Sequence, residues 1–304
     1  MLLALPRELV VAVLQHAAGS LAELRLVDSA LSSSITEHRC TLLRSLCLSY
    51  DISDQLLDQY CHYHEVSPSD ISALLRLNRE LAAVQAFGED CRGHQKESFD
   101  GIAAGMVRFS MLTASLRGSW DFPQPLQDAL TSSVTIDGIV PKALSISFKQ
   151  LLKDQCSLTD LESIIAAINV TASKLWSSVF LHRTSASRVN TFASLSGHTF
   201  NIEQAILTEH VIWHGPTWAA SLLKEAQPSR ATNFELQLQE YGPWAGTKED
   251  GARLAANGLA RLLWKERQRK VDEERERQAQ LAGQKAVSSL AINPAVWRGS
   301  AGDM

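Results

Sequence analysis

Apolar residues recur along this chain at intervals of three and four, the spacing of one face of an α-helix rather than the alternation of a strand. Leu9, Val10, Val13, Leu14 and Ala17 trace a first short amphipathic helix, with Pro6 in its opening turn and Gly19-Ser20 as its stop. Leu21, Leu24, Leu26, Val27 and Leu31 trace a second, with Ser20 as N-cap, and Leu42, Leu43, Leu46 and Leu48 a third, capped by Thr36. From Asp51 the helices lengthen. Ile52, Leu56 and Leu57 begin one that ends near Cys61 to His64. Ser67-Pro68-Ser69-Asp70 combines a capping hydroxyl, proline at the first helical position and a carboxylate, and opens a helix to about Cys91, ended by Gly93. Another spans 99–116 and closes at Gly118.

Beyond the proline-restricted connector at 121–125, the β-branched cluster of 134–140 is the one place that reads as a short extended piece. Ser157 or Thr159 caps a helix through Leu161, Ile164, Ile165, Ile168, Leu175, Trp176, Val179 and Phe180, apolar on so many faces that it belongs at the centre of the fold. A helix over 201–214 stops at Gly215-Pro216 and restarts over 218–226. After a linker at 228–246, a long pattern runs to about Ala282, with a leucine stripe (Leu254, Leu259, Leu262, Leu263) and then an almost wholly polar half. The expected fold class is all-α. The expected organisation is a three-helix motif at 1–48, an irregular helical domain at 49–247, a charged helix at 248–283 and a disordered tail at 284–304.

Composition narrows the function classes. Glycine (16) and proline (9) are scarce in 304 residues, as a helical chain requires. A net charge of −4, with no basic segment free of interleaved acids, argues against nucleic-acid binding. Five cysteines do not describe a disulfide framework, so a reducing compartment, cytoplasmic or nuclear, is expected. The N-terminus has no basic region ahead of its apolar run, and no stretch reaches the length of uncharged apolar sequence that spans a bilayer, so no membrane role is expected.

Candidate chemistry is sparse. His210 and His214 stand four apart, the ligand spacing of zinc metalloproteases, but Val211 occupies the place of the essential glutamate and packing or capping is the favoured role. Cys61-x-x-His64 and Cys91-x-x-His94 are zinc-compatible pairs, yet the helix between them separates them by roughly 35 Å at helical rise. Ser194-Leu195-Ser196-Gly197-His198 is no nucleophile elbow, and phosphate-binding and calcium loops are missing. No catalytic residue, metal site or cofactor is therefore assigned. The sequon at Asn169 lies inside an apolar helical pattern and reads as chance. In the charged run 265–277, Glu266 with Lys270, Arg269 with Glu273 and Glu273 with Arg277 are spaced to support a projecting or weakly docked helix. Only Val271 and Leu281 are available as seam positions, too few for a coiled coil.

The leucine surplus of the first fifty residues exceeds what three short helices can bury by themselves, so some of it must meet the rest of the chain or another protein. Leu5-Pro6-Arg7-Glu8-Leu9, Val13-Leu14 and Leu24-Arg25-Leu26-Val27 resemble the F-box, the helical motif that docks onto the Skp-type adaptor of cullin-RING ubiquitin ligases. The spacing between blocks is one residue shorter than the family's, Asp28 stands at a frequent cysteine position and Leu31 at a common tryptophan. The helical region that follows is similar to the carboxy-terminal parts of F-box-like proteins of filamentous fungi. The resemblance implies an adaptor-facing surface made of Leu5, Pro6, Leu9, Val13, Leu14, Leu24 and Val27, a protein target presented by the helical domain, and no catalysis by this chain. The alternative is a helical scaffold whose N-terminal hairpin packs on its own body.

Overall fold

A computed structural model describes residues 7–16, 21–88, 99–117, 150–180, 202–225 and 258–291. Every regular element among them is helical: α1 (Arg7–His16), α2 (Leu21–Val27), α3 (Ser29–Glu37), α4 (Arg39–Ser49), α5 (Asp54–Tyr63), α6 (Ile71–Gly88), α7 (Phe99–Arg117), a π-helical turn (Leu151–Gln155), α8 (Leu158–Phe180), α9 (Ile202–His214), α10 (Pro216–Glu225) and α11 (Leu259–Ala291). Leu5, Pro6, Ser20, the Cys91 and His94 pair, the 134–140 cluster, the 194–198 segment and the 228–246 linker lie outside the described residues.

Short polar signals set several of these ends. Ser157, and not Thr159, caps α8: its hydroxyl accepts from the Asp160 N–H at 3.1 Å, while the Asp160 carboxylate accepts from the Ser157 N–H at 3.0 Å. This is a reciprocal capping box built with aspartate. Ser53 caps α5 in the simpler way, accepting from the Leu56 N–H at 3.2 Å. Gly215 turns the chain between α9 and α10 at φ +84° and Pro216 begins α10 without a break.

Five expectations, four on helix boundaries and one on an ion pair, are corrected. Thr36 caps nothing: it lies inside α3, donating to the Ser32 carbonyl at 2.8 Å, and the helix-capping side chain here is Asp28, which accepts from the Ala30 N–H. The expected second and third helices are accordingly three, broken at Asp28 and His38. Ser67-Pro68-Ser69 forms a turn held by the Ser69 N–H on the Ser67 hydroxyl, so α6 starts at Ile71 and not at Pro68. In the charged helix Arg277 pairs with Glu274 at 3.0 Å rather than with Glu273, which Arg269 engages. That helix also continues through 284–291, because Ala, Leu, Lys and Gln there are good helix formers and Gly283 costs only about 1 kcal/mol.

The central position expected for α8 is observed. It packs against α6, α7, α9, α10 and α11, burying Leu161, Ile164, Ile168, Ala172 and Leu175 completely. A fully buried aliphatic side chain of this size contributes about 1.5–3 kcal/mol. Its closest partner is α7, and Gly105 makes the approach feasible: a Cβ there would stand 2.5 Å from the Ser163 carbonyl oxygen. Arg108 of α7 also pairs with Asp160 at 2.6 Å, tying the helix to the capping box. Around this pair, α6 carries α2 and α4, α4 carries α1, and buried residues from Val10 to Leu263 form one cluster. The long α11 is rooted by Leu259, Ala260 and Leu263 and crosslinked to α8 by Arg267 and Glu162 at 2.7 Å. Its start is held by Glu209, buried in α9, whose carboxylate oxygens accept from the Leu259 and Ala260 N–H groups at 2.9 and 2.8 Å.

Two measurements check this construction. Gly105→Ala is expected to lower the unfolding free energy by about 1–3 kcal/mol, because backbone must move to admit the methyl group; urea denaturation reads this directly. Burial raises the Glu209 carboxyl to about 7 against two backbone hydrogen bonds that lower it. The folded protein therefore holds a proton there that the unfolded chain has lost, and the stability Glu209 contributes falls as pH rises from about 4.5 to about 7. The stability difference between wild type and Glu209→Gln is expected to shift against wild type across that window and to be level on either side.

Candidate functional site

Two features of the surface stand out, one apolar and one polar. The apolar one lies on the N-terminal helices. Of the adaptor-facing residues the resemblance implies, Leu9 (52% exposed) and Val13 (39%) lie outward on α1 and Val27 (76%) at the end of α2. Leu24 is half-buried and packs on the core, and Leu14, at 1% exposure, belongs wholly to the core. Leu14 is thus unavailable to a partner, because α1 packs on α4 through the side that carries Val10 and Leu14. Leu26 (88%) is the most exposed large apolar side chain of the group and is absent from the implied set.

The polar feature is a cleft bounded by the end of α5, the middle of α6, α7 and the α9–α10 corner. Its lining includes His64, Arg76, Arg79, Glu80, Ser110 and Trp218. His64 is placed by the helix end it occupies. Glu65 after it is left-handed at φ 53°, with the Val66 N–H on the Cys61 carbonyl at 3.0 Å and the Glu65 N–H on His62 at 3.2 Å. That is a Schellman stop made without glycine. On the opposite wall the Thr113 hydroxyl donates to the Ile212 carbonyl at 3.2 Å, and its side chain lies 3.1 Å from where a Gly215 Cβ would stand. Any side chain at 215 would be pressed against α7 in a backbone conformation that itself favours glycine.

A directional chain of hydrogen bonds crosses the cleft floor. Arg76 donates to His64 Nδ1 at 3.1 Å, and a guanidinium can only donate, so the neutral ring carries its proton on Nε2. Nε2 lies 3.1 Å from Ser110 Oγ, and that hydroxyl donates to Glu80 Oε1 at 2.7 Å. Thr217 of α10 donates to Glu80 Oε2 at 2.6 Å. Buried Glu80 is therefore hydroxyl-bonded on both oxygens and joins α6 to α7 and α10. In this arrangement His64 donates to Ser110, the reverse of what a general base does for a nucleophile.

The histidine pair at 210 and 214 is packed as aromatic surface. The rings stack with centroids 5.8 Å apart and 7° between planes, and His214 lies 4.6 Å from Trp218. Burial, and then the neighbouring His214, push His210 down to about 3. No group of three His, Cys, Asp or Glu side chains arranged to hold a metal occurs among the described residues. Desolvation raises the Cys47 thiol to about 11 and the Cys156 thiol to about 12, and pushes Cys61 upward as well. Asn169 of the sequon lies within α8 and Thr171 is fully buried. No helix among the described residues is long and apolar enough to cross a membrane.

Sequence reasoning picked out His64 and His214, but as metal candidates, and passed over Glu80, Ser110 and Thr217. Their only sequence signal is polarity at positions where the helical stripe is apolar. Compared with protein-family models, curated proteins and solved structures, the chain matches none.

Ser110→Ala leaves a carboxylate oxygen and an imidazole N–H without their shared hydroxyl in a buried setting. It is expected to cost about 1–3 kcal/mol in denaturant unfolding. Ser49→Ala, which removes an exposed bond to the Ser45 carbonyl of its own helix, is expected to cost less.

Proposed function

We propose that this chain is a substrate-recruiting F-box-like adaptor of a cullin-RING ubiquitin ligase. Its N-terminal helices dock onto the Skp-type adaptor, and its helical body presents a protein target. The observation that carries the reading is the outward placement of Leu9, Val13 and Val27 in the segment that resembles the F-box. Together with Leu26, these side chains leave apolar area in water, which a helical partner would cover. The chain's role is then positional, and any bond-making belongs to the ligase it joins. The burial of Leu14 and Leu21 in the common core favours a second reading, in which α1 and α2 are structural parts of a non-catalytic helical scaffold with no ubiquitin-ligase role.

Co-purification of the full chain with a Skp-type adaptor separates the two. The adaptor reading expects a complex that Leu9→Asp with Val27→Asp weakens by about tenfold or more, as loss of buried anchor residues does. Leu281→Asp, an exposed apolar position on α11 outside the motif, is expected to leave it intact. Failure of the wild-type chain to bind, with its helical circular dichroism retained, leaves the scaffold reading.

A further inference from the structure

The cleft beside α6 is more than a junction between helices. Its volume of about 520 Å³ lies in the range of pockets that enclose small molecules. The floor is complete in itself, because Glu80 takes the Ser110 and Thr217 hydroxyls on its two oxygens. The mouth is not. Arg76 and Arg79 stand one turn apart on α6, both exposed and both lining the cleft. Neither is ion-paired among the described residues, and Arg79 makes no hydrogen bond there either. Two like charges one turn apart repel each other unless something neutralises them. Beside them Trp218 offers an indole, half-buried and tilted at 32° against the His214 ring.

Guanidinium forks match the planar oxygens of carboxylate and phosphate groups, and an indole face takes a flat ring with little loss of conformational freedom. We propose that the cleft binds a small organic anion whose carboxylate or phosphate is held by Arg76 and Arg79 and whose attached ring lies against Trp218. His64 serves as a positioning residue: its Nδ1 holds one N–H of Arg76 and leaves the rest of the fork for the ligand. The walls come from α5, α6, α7, α9 and α10, so the site exists before the ligand arrives. The site is separate from the docking residues on α1 and α2 and stands whether or not those bind an adaptor.

Calorimetric titration of the full chain at low ionic strength tests this, with phenyl phosphate, benzoate, inorganic phosphate and benzyl alcohol as probes. Saturable one-to-one binding of phenyl phosphate or benzoate is expected, and which of the two binds tighter identifies the anion. Inorganic phosphate is expected to bind about tenfold more weakly than phenyl phosphate, and benzyl alcohol not at all. Arg79→Gln, which breaks no hydrogen bond or ion pair among the described residues, is expected to weaken the aromatic anion about tenfold with little change in unfolding. Trp218→Leu is expected to bring phenyl phosphate down to the level of inorganic phosphate. Absence of saturable binding by either aromatic anion up to about 10 mM, or binding that Arg79→Gln leaves unchanged, overturns the proposal. Equal affinity for phenyl phosphate and inorganic phosphate removes the ring from it.

Discussion

The close approach of α7 and α8 at Gly105 is the constraint on which the other helices depend. A side chain there would collide with the Ser163 carbonyl, so the backbones meet at a distance that only hydrogen on the α-carbon permits. Because α8 is apolar around most of its circumference, once it lies against α7 its other faces must also be covered. α6, α9, α10 and α11 cover them. The register of the pair is pinned near one end by Arg108 on Asp160, the same carboxylate that completes the capping box of α8. Helix start and helix contact are thereby fixed by one side chain.

Buried polar groups then join elements far apart in sequence. Glu80 unites α6, α7 and α10 through two hydroxyls; Glu209 unites α9 and α11 through two backbone N–H groups. The two carboxylates differ in kind. Glu209 closes a helix terminus that would otherwise leave buried donors unsatisfied. Glu80 ends a donor chain that begins at an exposed arginine, so it couples the interior to the cleft. Such networks are costly when incomplete, which is why each oxygen is taken.

The apolar residues of α1 and α2 obey a different logic. Their inward sides, with Val10, Leu14 and Leu21, are built into the common core, whereas Leu9, Val13, Leu26 and Val27 remain outside it. The leucine surplus visible in the first fifty residues is therefore divided. Part of it is structural and part is surface, and periodicity alone cannot assign a given leucine to either side when a helix has apolar residues over more than half its circumference. Leu14 and Leu26 show this: the implied adaptor-facing set includes the first and leaves out the second, and packing reverses both.

What the sequence determined by itself was the helical class, most helix ends and the centrality of α8, since these follow from local spacing, caps and breakers within a few residues of one another. It missed the breaks at Asp28 and His38, which carry no glycine flag, and it placed the stops near Leu48 and His64 without the left-handed Asp51 and Glu65 that make them. Only the tertiary structure decided the cleft. Glu80, Ser110 and Thr217 are ordinary polar residues on three separate helices, and they form one network because those helices pack around α8. Contacts between residues so distant along the chain depend on how whole faces fit together, and that information is not local to any stretch of sequence.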